Sequence, residues 1–235
     1  MDLRKPPGHG PQESRPGIGP QERGGKAIKI GILRAGHIGG NLAQLLVRQG
    51  HDVSIANSRG PETLAEVAKR AGATPVTVTE APRDADVVII ALPLKAIPGL
   101  PKGLLDTAKP GAAVIDTMNY YPQRDGQIGP IDGGETSARW VGEVLGRPVV
   151  KVFNNIYAQD LLDRPTPPGT EGRRALPVTG DDEAAKVVVL DLVDAIGFDA
   201  VDVGRLDESW RYQPGTPSYG PEVDAAKLVR LLNEA

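Results

Sequence analysis

The stretch from Lys26 to Gly50 constrains the fold of this 235-residue chain more than any other. Ala27-Ile-Lys-Ile-Gly-Ile-Leu33 is a short apolar run of the kind that forms a buried strand. A glycine-rich turn, Arg34-Ala35-Gly36-His37-Ile38-Gly39-Gly40, follows at once. Beyond it Leu42, Leu45 and Leu46 recur at helical spacing within Asn41–Gln49, and Gly50 stops the helix. A strand that feeds a helix through glycines opens a βαβ unit, and such units build a mainly parallel sheet.

The rest of the chain repeats the alternation. Strands are expected at Asp52–Ala56, Val87–Leu92, Ala113–Asp116 and Val149–Phe153, with helices at Pro61–Ala71 and around Ser137–Leu145. Leu176–Thr179 reads as another strand, and Asp181 as the cap of a helix over Asp182–Ile196 that Gly197 ends. A strand over Asp199–Val203, a Gly/Pro-rich arm over Gln213–Pro221 and a closing helix over Glu222–Leu232 complete the chain. The expected class is α/β: a Rossmann-like, mainly parallel sheet with helices on both faces and a small C-terminal elaboration. Residues 1–25, rich in glycine and proline without apolar periodicity, read as a disordered tail. Residues 26–160 read as the dinucleotide-binding domain, and residues 161–235 as an elaboration packed on the same sheet.

Charge and composition narrow the function. A formal net charge of -3 gives no global basic field, so neither nucleic acid nor membrane is an expected partner. The chain has no cysteine and only three scattered histidines, which argues against disulfides, thiolate chemistry and a metal site. No apolar run is long enough to span a bilayer, and the first residues lack the apolar core of a signal peptide. A cytoplasmic location and a small-molecule substrate are the expectation.

The glycine turn carries the chemistry. Against G-x-G-x-x-G, the second and third glycines fall on Gly36 and Gly39, while Arg34 stands where the first is expected. Gly36 lets backbone approach a pyrophosphate, Gly39 lets helix and strand pack closely, and the first amides of the helix face the anion. At the end of the second strand, an NAD-binding chain places an acid for the ribose 2′-hydroxyl. Here Asn57-Ser58-Arg59-Gly60 offers a hydroxyl and a guanidinium, which suit a 2′-phosphate, and NADP(H) is therefore the expected cofactor. Arg34 has two readings: a side chain that crowds the cofactor, or a second cation for the same phosphate. No nucleophile elbow, Walker loop or HExxH pattern is present, and no catalytic residue is assigned.

From Lys29 onward the chain resembles the NADPH-dependent reductases of the coenzyme F420 (deazaflavin) NADP-oxidoreductase family. Ile30–Gly39, Asn57–Thr63, Ala91–Lys95, Asp116–Pro122, Val152–Ala158 and Pro177–Asp182 carry the resemblance. It implies that Ala35, Gly36, His37 and Ile38 form the pyrophosphate loop, and that Asn57, Ser58 and Arg59 lie at the 2′-phosphate. By the same resemblance Leu92 and Pro93 pass the nicotinamide ribose, while Asn119, Asn154, Asn155 and Ile156 border the nicotinamide and the acceptor pocket. It further implies hydride transfer to F420 or a flavin-like acceptor, and a homodimer. Met118 and Asn155, as well as Arg34, depart from the family's usual residues. Two other functions remain open: reduction of a small carbonyl or imine with Tyr120, Tyr121 or Tyr157 as proton donor, and a non-catalytic NADP sensor.

Overall fold

A computed structural model describes residues 26–235; the segment 1–25, expected as a disordered tail, lies outside the described residues. Eight strands form one sheet in the order β3-β2-β1-β4-β5-β6-β7-β8. They are β1 (Lys29–Leu33), β2 (Asp52–Ala56), β3 (Thr74–Pro75), β4 (Val87–Ile90), β5 (Ala113–Asp116), β6 (Val150–Lys151), β7 (Ala175–Gly180) and β8 (Asp199–Gly204). Every neighbouring pair is parallel except β6 with β7. The chain runs outward from β1 to β3, then returns to the other side of β1 with β4. Strand order therefore reverses between β1 and β4, the point where ligands bind in open α/β sheets.

Alternation along the strands sorts the core into two layers. Ile30, Ile32, Ile55, Val87 and Ile89 pack with Leu42, Leu45 and Leu46 of helix α1 (His37–Arg48) and with Val189 and Val193 of the helix Glu183–Ala195. Leu33, Val88, Ile90 and Val114 face the opposite layer, with Ala138 and Val141 of the helix Ser137–Leu145. Gly31 sits where this second layer comes closest: a Cβ there would lie 2.0 Å from the Ala81 carbonyl oxygen.

Several elements differ from their expected bounds for physical reasons. The strand expected over Val149–Phe153 keeps only Val150–Lys151, and Phe153, at φ 65°, lies outside the extended region and cannot continue it. Pro61–Ala71 divides into a 3-10 turn, Pro61–Leu64, and helix α2 (Ala65–Ala71). Asp182, not Asp181, caps the next long helix, its side chain accepting from Ala185 N. Asp181 instead bonds Arg139 and the Leu206 amide. The closing helix starts at Ala225, capped by Asp224, which accepts from Lys227 N at 2.8 Å. The short β3 was not expected at all; it is two residues long and includes Pro75.

Candidate functional site

The carboxyl ends of β1, β2 and β4 open onto one cleft of about 940 Å³. Arg34, Ala35 and Gly36 wall it from β1; Asn57, Ser58 and Arg59 from β2; Leu92, Pro93 and Lys95 from β4. The volume falls in the range of small-molecule and cofactor sites. Arg34, Arg59 and Lys95 give it three cations, no carboxylate lines it, and none of the three is in an ion pair among the described residues.

Local bonding presents these groups. Gly36 precedes helix α1, whose first turn holds no acidic residue, so the free amides there are left for an external anion. Asn57 Oδ1 accepts from Arg59 N at 2.9 Å, while Asn57 Nδ2 donates to Thr63 Oγ1. This Asn-centred turn leaves Ser58 and Arg59 exposed at the cleft.

The two fingerprint glycines serve different masters. A Cβ on Gly39 would lie 2.3 Å from the Arg34 carbonyl oxygen, so the protein's own packing demands glycine there. A Cβ on Gly36 would meet only Arg34 Nε, at 3.8 Å, which is ordinary contact. Packing does not require glycine at Gly36, whose general role in this fingerprint is to let backbone approach a pyrophosphate. Arg34 itself holds φ 76°, a conformation costing an L-residue roughly 1–2 kcal/mol relative to glycine.

Not every expected site residue reaches this cleft. His37 is exposed and Ile38 half-buried on the first turn of α1, outside the lining. Asn119 and Asn154 form a separate polar knot beyond β5 and β6, and Asn155, next in the chain, is buried. Asn119 Nδ2 donates to the Asn154 carbonyl at 2.7 Å, and Asn154 Nδ2 to the Tyr212 carbonyl at 3.0 Å. The Oδ1 atoms of Asn154 and Asn155 are buried without a partner, as is common where a ligand completes a site. Ile156 is buried beside them.

Residues outside the sequence-based set complete this second region. Tyr219, from the Gly/Pro arm, accepts from Asn119 Nδ2 at 3.2 Å and shares a 2.6 Å hydrogen bond with Tyr121 Oη. Burial, then that bond, pushes the Tyr219 hydroxyl above its ordinary range, which keeps its proton on, and either oxygen of the Tyr121–Tyr219 pair can be the donor. The arm thus folds back on its own chain. Asp125 ties the knot to the cleft, accepting from the Tyr121 amide and, at 3.4 Å, from the Lys95 amide. Beneath lies a buried ion pair, Lys151 with Asp116. A signal for it existed, since each charge interrupts an apolar strand. Tyr120 points elsewhere, toward Asp132, and Tyr157 is largely exposed.

The fold, the switch-point cleft and its cations define a dinucleotide-binding protein of the Rossmann type. Residues 29–120 match the family described as NADP oxidoreductase, coenzyme F420-dependent. Across 83% of its length the chain is 32% identical to a hypothetical protein, SMa0349, from Sinorhizobium meliloti, covering 93% of that chain at a TM-score of 0.67. A structure from Arthrobacter sp. FB24, provisionally named an F420-dependent NADP-reductase, shares the fold at 22% identity and TM-score 0.63, over 76% of this chain and 86% of that one. The Escherichia coli (strain K12) protein YjhV is 48% identical over 66 residues, which are 28% of this chain and 48% of YjhV, so the match spans about half of that relative. The resemblance to that NADP-oxidoreductase family lies in residues 29–120, and the likeness to SMa0349 extends over most of the chain. Among the described residues no helix is long and apolar enough to cross a membrane, and no acid/histidine cluster suits a metal ion.

Proposed function

We propose that this protein is an NADP(H)-dependent reductase of a planar, flavin-like acceptor, with coenzyme F420 as the leading candidate. The observation that carries the reading is the cleft at the switch point: three cations without an ion-pair partner among the described residues, no carboxylate in the lining, and a glycine at Gly36 that packing does not demand. The residues fit the group. The Gly36 turn and the first amides of α1 hold the pyrophosphate, and Ser58 and Arg59 hold the 2′-phosphate. Leu92 and Pro93 flank the nicotinamide ribose. The bound cofactor supplies a hydride; the protein supplies position and exclusion of water, and no acid or base is needed in the cleft.

The knot at Asn119 and Asn154 follows β5 and β6, the strands next to β4 in the sheet, and we assign it as the acceptor end of the same site. Its Tyr121–Tyr219 hydroxyl pair also favours a second reading, reduction of a small carbonyl or imine that must take up a proton. NADPH oxidation with oxidised F420, flavin mononucleotide and a set of small carbonyls and cyclic imines separates the two. Turnover confined to F420 or flavin supports the first. Turnover of carbonyls or imines alone replaces it, and oxidation with none makes the protein a nucleotide sensor. A homodimer belongs to the same proposal; sedimentation as a monomer at micromolar concentration would remove it.

A further inference from the structure

We infer that Arg34 is a second cation of the 2′-phosphate site and sets the preference for NADP(H) over NAD(H) together with Arg59. The inference rests on the NADP(H) reading of the cleft, and adds a residue at a position where the fingerprint has glycine.

Four observations carry it. First, Arg34 is held at φ 76°, where glycine is favoured and a long side chain is disfavoured. Second, nothing in its own surroundings offsets that strain: the side chain is exposed and makes no ion pair or side-chain hydrogen bond among the described residues. Third, the side chain runs along the wall of the cleft, its Nε 3.8 Å from where a Cβ on Gly36 would sit. Fourth, Arg34 N donates to the Ala56 carbonyl at 2.7 Å, which fastens Arg34 to the last residue of β2. Asn57, Ser58 and Arg59 follow directly, so both guanidinium groups arise from adjoining strand ends and line one cleft.

The crowding alternative fits less well. Arg34 belongs to the wall of a cleft that is still about 940 Å³ with the side chain in place. A phosphate monoester carries close to two negative charges near neutral pH and three strong acceptor oxygens. Two guanidinium groups complement that charge, whereas the ribose hydroxyl of NAD(H) leaves them unpaired.

The test compares dissociation constants of NADPH and NADH, measured by calorimetry, for wild type, Arg34→Gly, Arg34→Lys and Arg59→Ala. Arg34→Gly is expected to weaken NADPH about tenfold or more and to leave NADH within about twofold, as loss of one charge-assisted phosphate contact would. Its melting temperature is expected to hold or rise, since glycine relaxes the strained backbone. Arg34→Lys is expected to retain part of the NADPH preference. A parallel loss for both nucleotides would place Arg34 on the shared pyrophosphate, and a parallel gain would mean crowding; either overturns the inference while leaving the cofactor reading intact. Failure of that reading looks different: wild-type protein would bind neither nucleotide, or NADH as tightly as NADPH.

Discussion

Lys151 Nζ stands 2.9 Å from Asp116 Oδ2, and both side chains are almost wholly buried. The same ammonium donates to the Met118 carbonyl, while Asp116 Oδ1 accepts from the Met118 amide at 2.7 Å. The pair therefore grips Met118 at both ends and fixes the chain as it leaves β5 for Asn119. A buried ion pair is weak evidence for net stability, because desolvation offsets much of the attraction. Its value here is positional.

Breaking the pair from one side leaves an uncompensated buried charge. Lys151→Met is expected to cost about 3–5 kcal/mol in chemical denaturation. The double variant Asp116→Asn/Lys151→Met is expected to lose less than the two single changes added together. A Lys151→Met protein within about 1 kcal/mol of wild type would show that water reaches Asp116.

Gly36 and Gly39 are expected to fail in different ways. Gly36→Ala should keep the wild-type melting temperature yet lose NADPH affinity, because its Cβ meets only Arg34 Nε at 3.8 Å and fills space meant for the ligand. Gly39→Ala should lose both, since its Cβ collides with the Arg34 carbonyl at 2.3 Å. Thermal unfolding and nucleotide titration of the two variants check this, and equal nucleotide binding by Gly36→Ala and wild type would contradict it.

Tyr219→Phe removes one hydroxyl from the acceptor end and keeps the ring. It is expected to leave NADPH affinity unchanged and, with a carbonyl or imine acceptor that must take up a proton, to lower kcat/KM by roughly tenfold or more, as loss of a general acid or of a charge-stabilising hydrogen bond would. The solvent deuterium isotope effect on kcat is expected to change as well, a readout that mere loosening of the arm would not move. An unchanged kcat/KM would make the Tyr121–Tyr219 pair a latch and no more.

Asp86 couples the fold to acid pH. Its carboxylate accepts from Lys109 Nζ at 2.7 Å and from the Lys29 amide at 2.9 Å, tying the start of β1 to the start of β4. The Lys109 bond first, opposed by burial and aided by the Lys29 amide, holds the carboxyl below its ordinary range. A depressed carboxylate stabilises the fold above its unfolded pKa and loses that contribution as pH falls through the folded one. Asp86→Asn should therefore melt below wild type at neutral pH, with the gap closing as pH drops below about 4. A gap that stays constant down to about pH 2 would contradict the coupling.

The sequence made the cofactor half of the molecule legible because that half is local. A strand, a glycine turn and a helix are written within about two dozen residues, and Asn57–Arg59 announce themselves by position at the end of the next strand. Strand β2 was read to the residue, since Val53, Ile55 and Ala56 sit between clear breaks. The region around Asn119 and Asn154 is assembled across long separations, and only the family resemblance pointed to it. Tyr219 meets Asn119 and Tyr121 from about a hundred residues away, and Lys151 meets Asp116 across two strands. The tyrosine contact has no local pattern, and the ion pair is marked only by the charges that Asp116 and Lys151 place in apolar strands. Backbone strain was equally invisible: nothing in the letters shows that Phe153 takes φ 65° and cuts β6 short.

Calorimetric titration of NADPH and NADH into wild type and Arg59→Ala tests the NADP(H) cleft most directly. Wild type should bind NADPH at least tenfold more tightly than NADH, and Arg59→Ala should shrink that difference about tenfold or more by weakening NADPH alone, as the loss of one charge-assisted contact of about 1.5–3 kcal/mol requires. Equal affinity of wild type for the two nucleotides, or equal losses for both in Arg59→Ala, would contradict the assignment of the 2′-phosphate to the end of β2.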